Sequence, residues 1–219
     1  MTTVLAQAPP VVTLDTTVIT GSHIRLTDAE SALPVQVITR EDIDKSGVTT
    51  VEQLLERVPA NVNGINAALS VGNTTTPGLS SANLRGLGGG STLVLLNGRR
   101  LANYAFDGAS VDLNSIPLAA IDRVEVLKDG ASAIYGTDAI AGVINFILRR
   151  DYAGADVSAN LAVTQHGGGN SGLFNAAFGT GHPLRDGYNV FAAISYQKDQ
   201  NLSALERDFA STAYRPELG

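Results

Sequence analysis

The 219-residue sequence has no cysteine, few aromatic residues (5%) and few charged residues (16%). The absence of cysteine excludes disulfides, thiolate metal sites and a cysteine nucleophile, and it leaves the redox compartment undecided. The formal net charge of −6 argues against electrostatic binding of nucleic acid, which needs a basic surface. Hydrophobic residues still make up 44% of the chain, which is unlike the highly charged composition of disordered proteins.

Long apolar runs are also lacking. A membrane-spanning helix needs about 20 apolar residues, and the best stretch, Ala139–Leu148, is about half as long and includes Asn145. Any membrane role must therefore use β-strands or surface attachment. The N-terminus lacks the basic region of a signal peptide, although Ala6–Ala8 has the small-x-small pattern of a cleavage site. An upstream signal sequence and an ordinary N-terminus both remain open.

The usual enzyme motifs are missing as well. The sequence contains no G-x-S-x-G elbow, no H-E-x-x-H and no Walker loop. The glycine run Gly86–Gly90 favours a turn over a phosphate loop, because a strand and not a helix follows it. His23, His166 and His182 are far apart in sequence, as isolated surface histidines are. We therefore expect no enzyme activity, no cofactor and no metal site.

Local patterns predict a strand followed by two short helices. Val35–Thr39 reads as a short strand, and Thr39 then caps a helix over 40–46 that Gly47 ends. A second capping box, Thr49–Glu52, starts a helix that ends before Pro59. That helix carries apolar residues at helical spacing on one face: Val51, Leu54, Leu55 and Val58.

Two long polar loops interrupt the next part of the chain. Asn61–Asn83 is polar and rich in glycine and asparagine, and a loop this long binds something or is disordered. Asn103–Asp112 is a second loop with glycine, asparagine and aspartate. The chain around them predicts an α+β domain that ends near Arg150. Its remaining elements are strands over 92–96, 123–128 and 142–148, a hairpin at Asn97–Gly98, and helices over 115–121 and 131–135.

The pattern changes after this domain. Three segments of about ten residues, 156–164, 173–180 and 189–198, alternate apolar and polar residues and are joined by turns. This is typical of the strands of a transmembrane β-barrel, although a soluble meander would have the same alternation. Three strands cannot close a barrel, and an open edge facing lipid is not viable. The barrel interpretation therefore implies that the chain is a fragment of a larger protein.

Several blocks together resemble the plug domain of TonB-dependent outer-membrane receptors. The resemblance covers Leu33 to Arg150 in the family's order. The blocks are Pro34–Ile43, Val51–Pro59, Leu84–Gly86, Leu93–Arg100, Ile116–Gly136 and Ala139–Phe146. Asp15–Gly21 resembles the TonB box that precedes such plugs, and the alternating segments fall where the first barrel strands belong.

The resemblance implies a fold and a function. We expect an α+β plug, a small mixed sheet with short helices, followed by antiparallel strands of an incomplete transmembrane β-barrel. The domain limits are 1–27 for an extended segment, 28–151 for the plug and 152–219 for three barrel strands. The plug would gate the lumen and couple to TonB, with its inner-membrane energising complex, for import across the outer membrane. The alternative is a free periplasmic plug-like module that binds TonB or a ligand without transport.

The resemblance also assigns candidate residues. TonB would bind Asp15, Thr16, Thr17, Val18, Ile19 and Thr20. An unidentified small-molecule or oligomeric nutrient would contact outer loops, with Asn66, Asn73, Asn103, Tyr104 and Phe106 as candidates. Arg85 and Lys128 occupy positions where the family places basic groups facing barrel carboxylates. Without most of the barrel, we expect these two to be exposed or paired with local acids such as Glu125 or Asp129. Lipids of the outer membrane would contact the barrel strands, and the N-terminus would lie in the periplasm.

Overall fold

A computed structural model describes residues 35–62, 64–70, 76, 78–165, 168–200 and 202. The box residues 15–20, Asn73, His23 and His166 lie outside these ranges. The described strands are β1 (Val35–Ile38), β2 (Thr92–Leu96), β3 (Arg99–Arg100), β4 (Ile121–Leu127), β5 (Gly142–Leu148), β6 (Gly154–Ala162), β7 (Ser171–Thr180) and β8 (Val190–Asp199). The α-helices are α1 (Arg40–Ser46), α2 (Val51–Glu56), α3 (Ala67–Ser70), α4 (Ser132–Tyr135) and α5 (Pro183–Asp186).

The first helix forms as its capping residues predict. The Thr39 hydroxyl accepts a hydrogen bond from the Asp42 amide, and the Asp42 carboxylate accepts one from the Thr39 amide. This capping box satisfies amide groups that the first helical turn leaves without partners. Gly47 ends the helix in the left-handed conformation, at φ +67°.

The second helix uses a different cap from the predicted one. Thr50, not Thr49, is the N-cap, and its hydroxyl accepts from the Gln53 amide at 3.2 Å. The side chain that reaches back is Gln53, whose Oε1 accepts from the Thr49 amide at 2.9 Å. Glu52 instead accepts a hydrogen bond from the Ala67 amide at 3.1 Å, which ties α2 to the polar segment after it.

Five strands form a mixed sheet in the order β1-β4-β5-β2-β3. Strand β5 pairs parallel with β2 and antiparallel with β4, so it lies inside the sheet. Both of its faces are covered, and its residues from Gly142 to Ile147 are all buried. The run 142–148 is mostly apolar and does not alternate because neither face of the strand meets water.

The helix predicted over 115–121 is wrong. Two 3₁₀ turns, Leu113–Ser115 and Leu118–Ala120, occupy this region, and Pro117 stands between them. Pro117 is extended at ψ 124°, so it precedes a turn and does not lie within a helix. Strand β4 begins directly after the second turn, which brings the chain back to the sheet.

The last three strands form a separate antiparallel sheet, β6-β7-β8, as the alternating segments predict. Its register places apolar side chains opposite each other: Val157 pairs with Ala176, and Ala176 pairs with Ile194. Among the described residues, no helix combines the length and apolar character needed to cross a membrane.

Gly142 lies where β5 passes close to the backbone of β4. Its φ is +139°, and an added Cβ would lie 2.4 Å from the Leu127 carbonyl oxygen. We expect Gly142→Ala to lower the free energy of unfolding of the 219-residue chain by about 3 kcal/mol, since β4 and β5 would have to separate.

Gly47→Ala is the matched control, because Gly47 also has positive φ but open space around it. It should cost about 1 kcal/mol from backbone strain alone. Urea unfolding followed by circular dichroism measures both values. Equal losses in the two variants would contradict this account of Gly142.

Candidate functional site

The loop that follows β3 has a defined conformation. The Tyr104 amide donates to the Ser110 carbonyl at 2.7 Å, and the Gly108 amide donates back to the Tyr104 carbonyl at 2.9 Å. The Asn103 side-chain amide donates to the Gly108 carbonyl at 2.8 Å. These bonds close the loop on itself and leave the Phe106 ring 71% exposed. Three predicted residues, Asn103, Tyr104 and Phe106, are therefore brought together in one loop.

Asp107 holds the turn inside this loop. Its carboxylate accepts hydrogen bonds from the amides of Ala109 at 3.0 Å and Ser110 at 3.1 Å. Burial raises the pKa of the Asp107 carboxyl, but the hydrogen bonds from Ala109 and Ser110 outweigh it, so the pKa lies below its ordinary value. The charged carboxylate therefore stabilises the loop.

The glycine run before β2 packs against the same loop. A Cβ added to Gly89 would lie 2.5 Å from the Ser110 hydroxyl oxygen, and one added to Gly90 would lie 3.4 Å from the Ala109 Cβ. The glycine pattern predicts a turn here but does not indicate this contact. The run of three glycines beside a serine was the available signal, because glycine allows two backbones to approach closely.

Ser80, in the polar segment 61–83, supports the base of the loop. The Leu113 amide donates to the Ser80 carbonyl at 2.8 Å, and the Ser80 amide donates to the Asp112 carboxylate at 3.3 Å. Asn66 lies elsewhere in this segment, where its side-chain amide donates to the Glu56 carboxylate at 2.8 Å. The structure thus ties Asn66 to the end of α2, away from the hydrogen bonds that close the loop.

A cleft of about 250 Å³ opens beside the loop. Arg100 lines it and forms an ion pair with Asp138, and Arg100 also donates to the Tyr135 carbonyl. Asn103, Gly108 and Ala109 line the cleft from the loop side. Arg100 is not among the residues that the sequence singles out for this site, because its partner Asp138 is 38 residues further along the chain.

A buried charge lies in the middle of the first sheet. Glu125 is fully buried, and its carboxylate is 2.9 Å from the Arg123 guanidinium. The buried Asn145 side chain donates to Glu125 at 3.4 Å and accepts from the Gly98 amide at 2.9 Å. The network fixes the Asn97–Gly98 hairpin to β4 and β5. Within the described ranges, no cluster of three or more histidine or carboxylate side chains could hold a metal ion.

More than half of the chain matches a known domain family. The family model for the TonB-dependent receptor plug domain matches residues 27–143, more than half of the chain. The chain belongs to the TonB-dependent receptor plug domain family. The three strands after the plug match the start of the receptor barrel, and they do not close into one.

Solved receptor structures extend this similarity past the plug. The chain is 28% identical to the siderophore receptor PirA from Acinetobacter baumannii, with a TM-score of 0.53 over 75% of this chain and 24% of that one. It is 26% identical to a mutant of the ferric enterobactin receptor PfeA from Pseudomonas aeruginosa, with a TM-score of 0.57 over 78% of this chain and 26% of that one.

A third relative is the siderophore receptor PirA from Pseudomonas aeruginosa, 25% identical with a TM-score of 0.52 over 78% of this chain and 30% of that one. The chain therefore spans between about a quarter and a third of the length of these receptors.

The two basic residues of the plug motifs differ in their surroundings. Arg85 has a positive φ of 56°, and its guanidinium donates to the carbonyls of Ile140 at 2.7 Å and Ala141 at 3.1 Å. Its ion pair with Asp129 is long, at 3.9 Å. Lys128 is half-buried and has no ion pair within the described residues, while Glu125 pairs with Arg123. The role of Arg85 and Lys128 in holding the plug stays a prediction.

Asp107→Ala should loosen the loop, because the amides of Ala109 and Ser110 would lose their acceptor. We expect hydrogen exchange at these two amides to become about tenfold faster. The stabilisation depends on the carboxylate, whose pKa is lowered in the folded chain. It should be complete above the ordinary aspartate value of about 3.9 and disappear as the pH falls through the lowered value.

The matched control is Glu41→Gln, a surface carboxylate on α1 that pairs with Lys45. Amide exchange measured by NMR on the 219-residue chain distinguishes the two variants. Unchanged protection at Ala109 and Ser110 in Asp107→Ala would contradict the assigned role.

Proposed function

We propose that this chain is the N-terminal part of a TonB-dependent outer-membrane transporter, with the plug over 28–151 and the first barrel strands over 152–219. The plug gates the lumen, helps to bind the substrate and couples to TonB for energised import. The observation that carries the proposal is a plug of the receptor family followed directly by a sheet with an apolar outer face and a more polar inner face.

The second sheet has the apolar outer surface that strands of a transmembrane β-barrel need. One face exposes large apolar side chains, among them Leu161 at 81% and Val157 at 69% exposure. The others on this face are Phe174, Phe178, Val190, Ile194 and Tyr196. The opposite face lies toward the plug and is more polar, with Asn175 and Ser195 beside the apolar Leu173 and Ala177. Within this face the Ser195 hydroxyl donates to Asn175 at 2.7 Å. Lipid outside and a hydrated lumen inside would account for both faces.

Energy would reach the plug through protein contact. An extended segment with β-prone residues can add a strand to another protein's sheet, and Asp15–Thr20 has this composition. Tension on this segment acts next on β1, an edge strand that pairs with β4 over four residues. TonB in the periplasm is the partner that the family relationship implies.

The substrate would contact the loop that contains Asn103, Tyr104 and Phe106. The rings of Tyr104 and Phe106 lie 5.6 Å apart and present an apolar surface beside the Arg100–Asp138 cleft. Asn66 and Asn73 remain candidates from the neighbouring segment. Two relatives are siderophore receptors and a third is a ferric enterobactin receptor, so ferric siderophores are the first substrates to test.

Phe106→Ala should weaken binding of the substrate about tenfold, since the substrate would no longer cover an exposed aromatic ring. The measurement is equilibrium binding to the purified gene product that carries this chain. Ferric enterobactin is tried first within a panel of ferric siderophores. Leu184→Ala, which removes an exposed apolar side chain from α5, is the control. Equal affinity in both variants would exclude Phe106 from the site.

Val18→Pro should abolish energised uptake and leave substrate binding intact, because proline removes a backbone donor and fixes φ within the TonB box. His23→Pro, just beyond the box, is the control and should retain uptake. Uptake of radiolabelled ferric siderophore into whole cells measures the effect. Normal uptake by Val18→Pro would refute the box assignment. Recovery of the gene product as a soluble periplasmic protein would favour the free-module alternative.

A further inference from the structure

The chain leaves the plug through a tightly held junction. Arg149 follows β5, and its side chain is only 12% exposed although it carries a charge. The Arg149 guanidinium lies 2.7 Å from the Asp156 carboxylate at the start of β6, and 4.8 Å from the centre of the Tyr152 ring. One plug cation therefore holds both the connecting segment and the first strand of the second sheet.

Tyr152 is seated on the second sheet. Its ring meets Phe191 of β8 edge-on, with centroids 5.8 Å apart. Its carbonyl accepts a hydrogen bond from the Asn189 side chain at 3.1 Å. A Cβ on Gly179 of β7 would lie 2.2 Å from the Tyr152 carbonyl oxygen and 2.7 Å from ring atom Cδ1. Glycine at 179 thus allows Tyr152 to lie directly on the strand.

The junction is also fastened to the plug. The Arg149 amide donates to the Ala120 carbonyl at 2.9 Å. Arg40 of α1 holds the 3₁₀ turn Leu118–Ala120, since it donates to the Leu118 carbonyl at 3.0 Å and to the Ile121 carbonyl at 3.2 Å. Hydrogen bonds therefore run without a gap from the plug through Arg149 to β6.

The plug is held less closely beside this junction. A cavity of about 460 Å³ separates α1 from the inner face of the second sheet. Thr49 lines it from the plug side, and Ser158, Asn160 and Asn175 line it from the strands. Apolar residues, among them Ile43, Val48 and Leu118, line it as well. The plug and the strands are therefore bonded at the junction and leave an open cavity beside it.

We infer that Arg149 and Tyr152, with Asp156 and Gly179, form a joint that anchors the C-terminal end of the plug to the first barrel strands during transport. The inference rests on the proposed function and adds that the N-terminal and C-terminal parts of the plug have different roles. Tension that enters before β1 acts first on that edge strand, while the joint keeps β5, the Leu118–Ala120 turn and the junction in place. Arg149 is a positioning residue, since it acts on Tyr152 and Asp156 and not on the substrate.

The test compares Arg149→Gln with Arg150→Gln in the gene product that carries this chain, expressed at its natural length in the outer membrane. Arg150 is the adjacent arginine and is exposed. With a weakened joint, the plug should leave the lumen more often when TonB pulls. We expect Arg149→Gln to admit a polar antibiotic too large for general porins about tenfold faster, with ferric siderophore affinity unchanged. Arg150→Gln should match the unaltered protein.

Rescue separates a specific joint from a general loss of structure. Arg149→Asp combined with Asp156→Arg restores opposite charges and should reduce the leak toward the unaltered level. If Arg149→Gln fails to reach the membrane, Gly179→Ala provides a second test, because it displaces Tyr152 and keeps Arg149. Gly172→Ala, on the same strand with only the Leu161 side chain nearby at 3.4 Å, is its control.

The outcomes distinguish the two proposals. If the unaltered protein imports its siderophore and neither Arg149→Gln nor Gly179→Ala leaks more than its control, the joint is refuted and the transporter stands. A leak that persists in a strain lacking TonB, or that the charge exchange does not reduce, also refutes the joint. If the unaltered protein takes up no nutrient with TonB present, the proposed function itself fails.

Discussion

Strand β5 is the element on which the rest of this structure depends. It is hydrogen-bonded to β4 on one side and β2 on the other, and Val143, Ile144 and Phe146 are fully buried along it. A strand covered on both faces forms only when the elements around it are in place. Its C-terminal end passes directly into Arg149 and the junction, so the same strand that completes the plug core also positions the plug against the second sheet.

Buried polar groups give this core a single arrangement. A fully buried carboxylate is tolerated only with partners, and Glu125 has Arg123 and Asn145. Asn145 in turn accepts from Gly98, while the Asn97 side chain accepts from the Leu148 amide at 2.9 Å. A shift of β4 or β5 by one residue would break these bonds and leave the carboxylate unpaired. The hairpin, the two central strands and the plug register are thus determined together.

Local sequence predicts local structure well here. The Thr39 cap, the Gly47 stop and the Asn97–Gly98 hairpin depend on contacts within a few residues, and the structure has each of them. The three alternating strands also form, because alternation along each strand gives it one apolar face. The errors occur where distant residues decide. The Glu52 carboxylate accepts from the distant Ala67 amide, so Gln53 takes its place in the capping box. The 115–121 region forms 3₁₀ turns because Arg40 and Arg149 donate to the carbonyls of Leu118 and Ala120.

Motif residues, caps and alternation are carried by neighbouring positions, so the family, the order of the elements and one candidate loop can be inferred from the sequence. Which side chains meet depends on how the strands and loops pack in three dimensions. Arg100 pairs with Asp138, Glu125 pairs with Arg123, and Tyr152 packs on Gly179. Each of these contacts except that of Glu125 joins residues at least 27 positions apart, and a charge or a glycine in a sequence does not specify its partner until the strands have set the register.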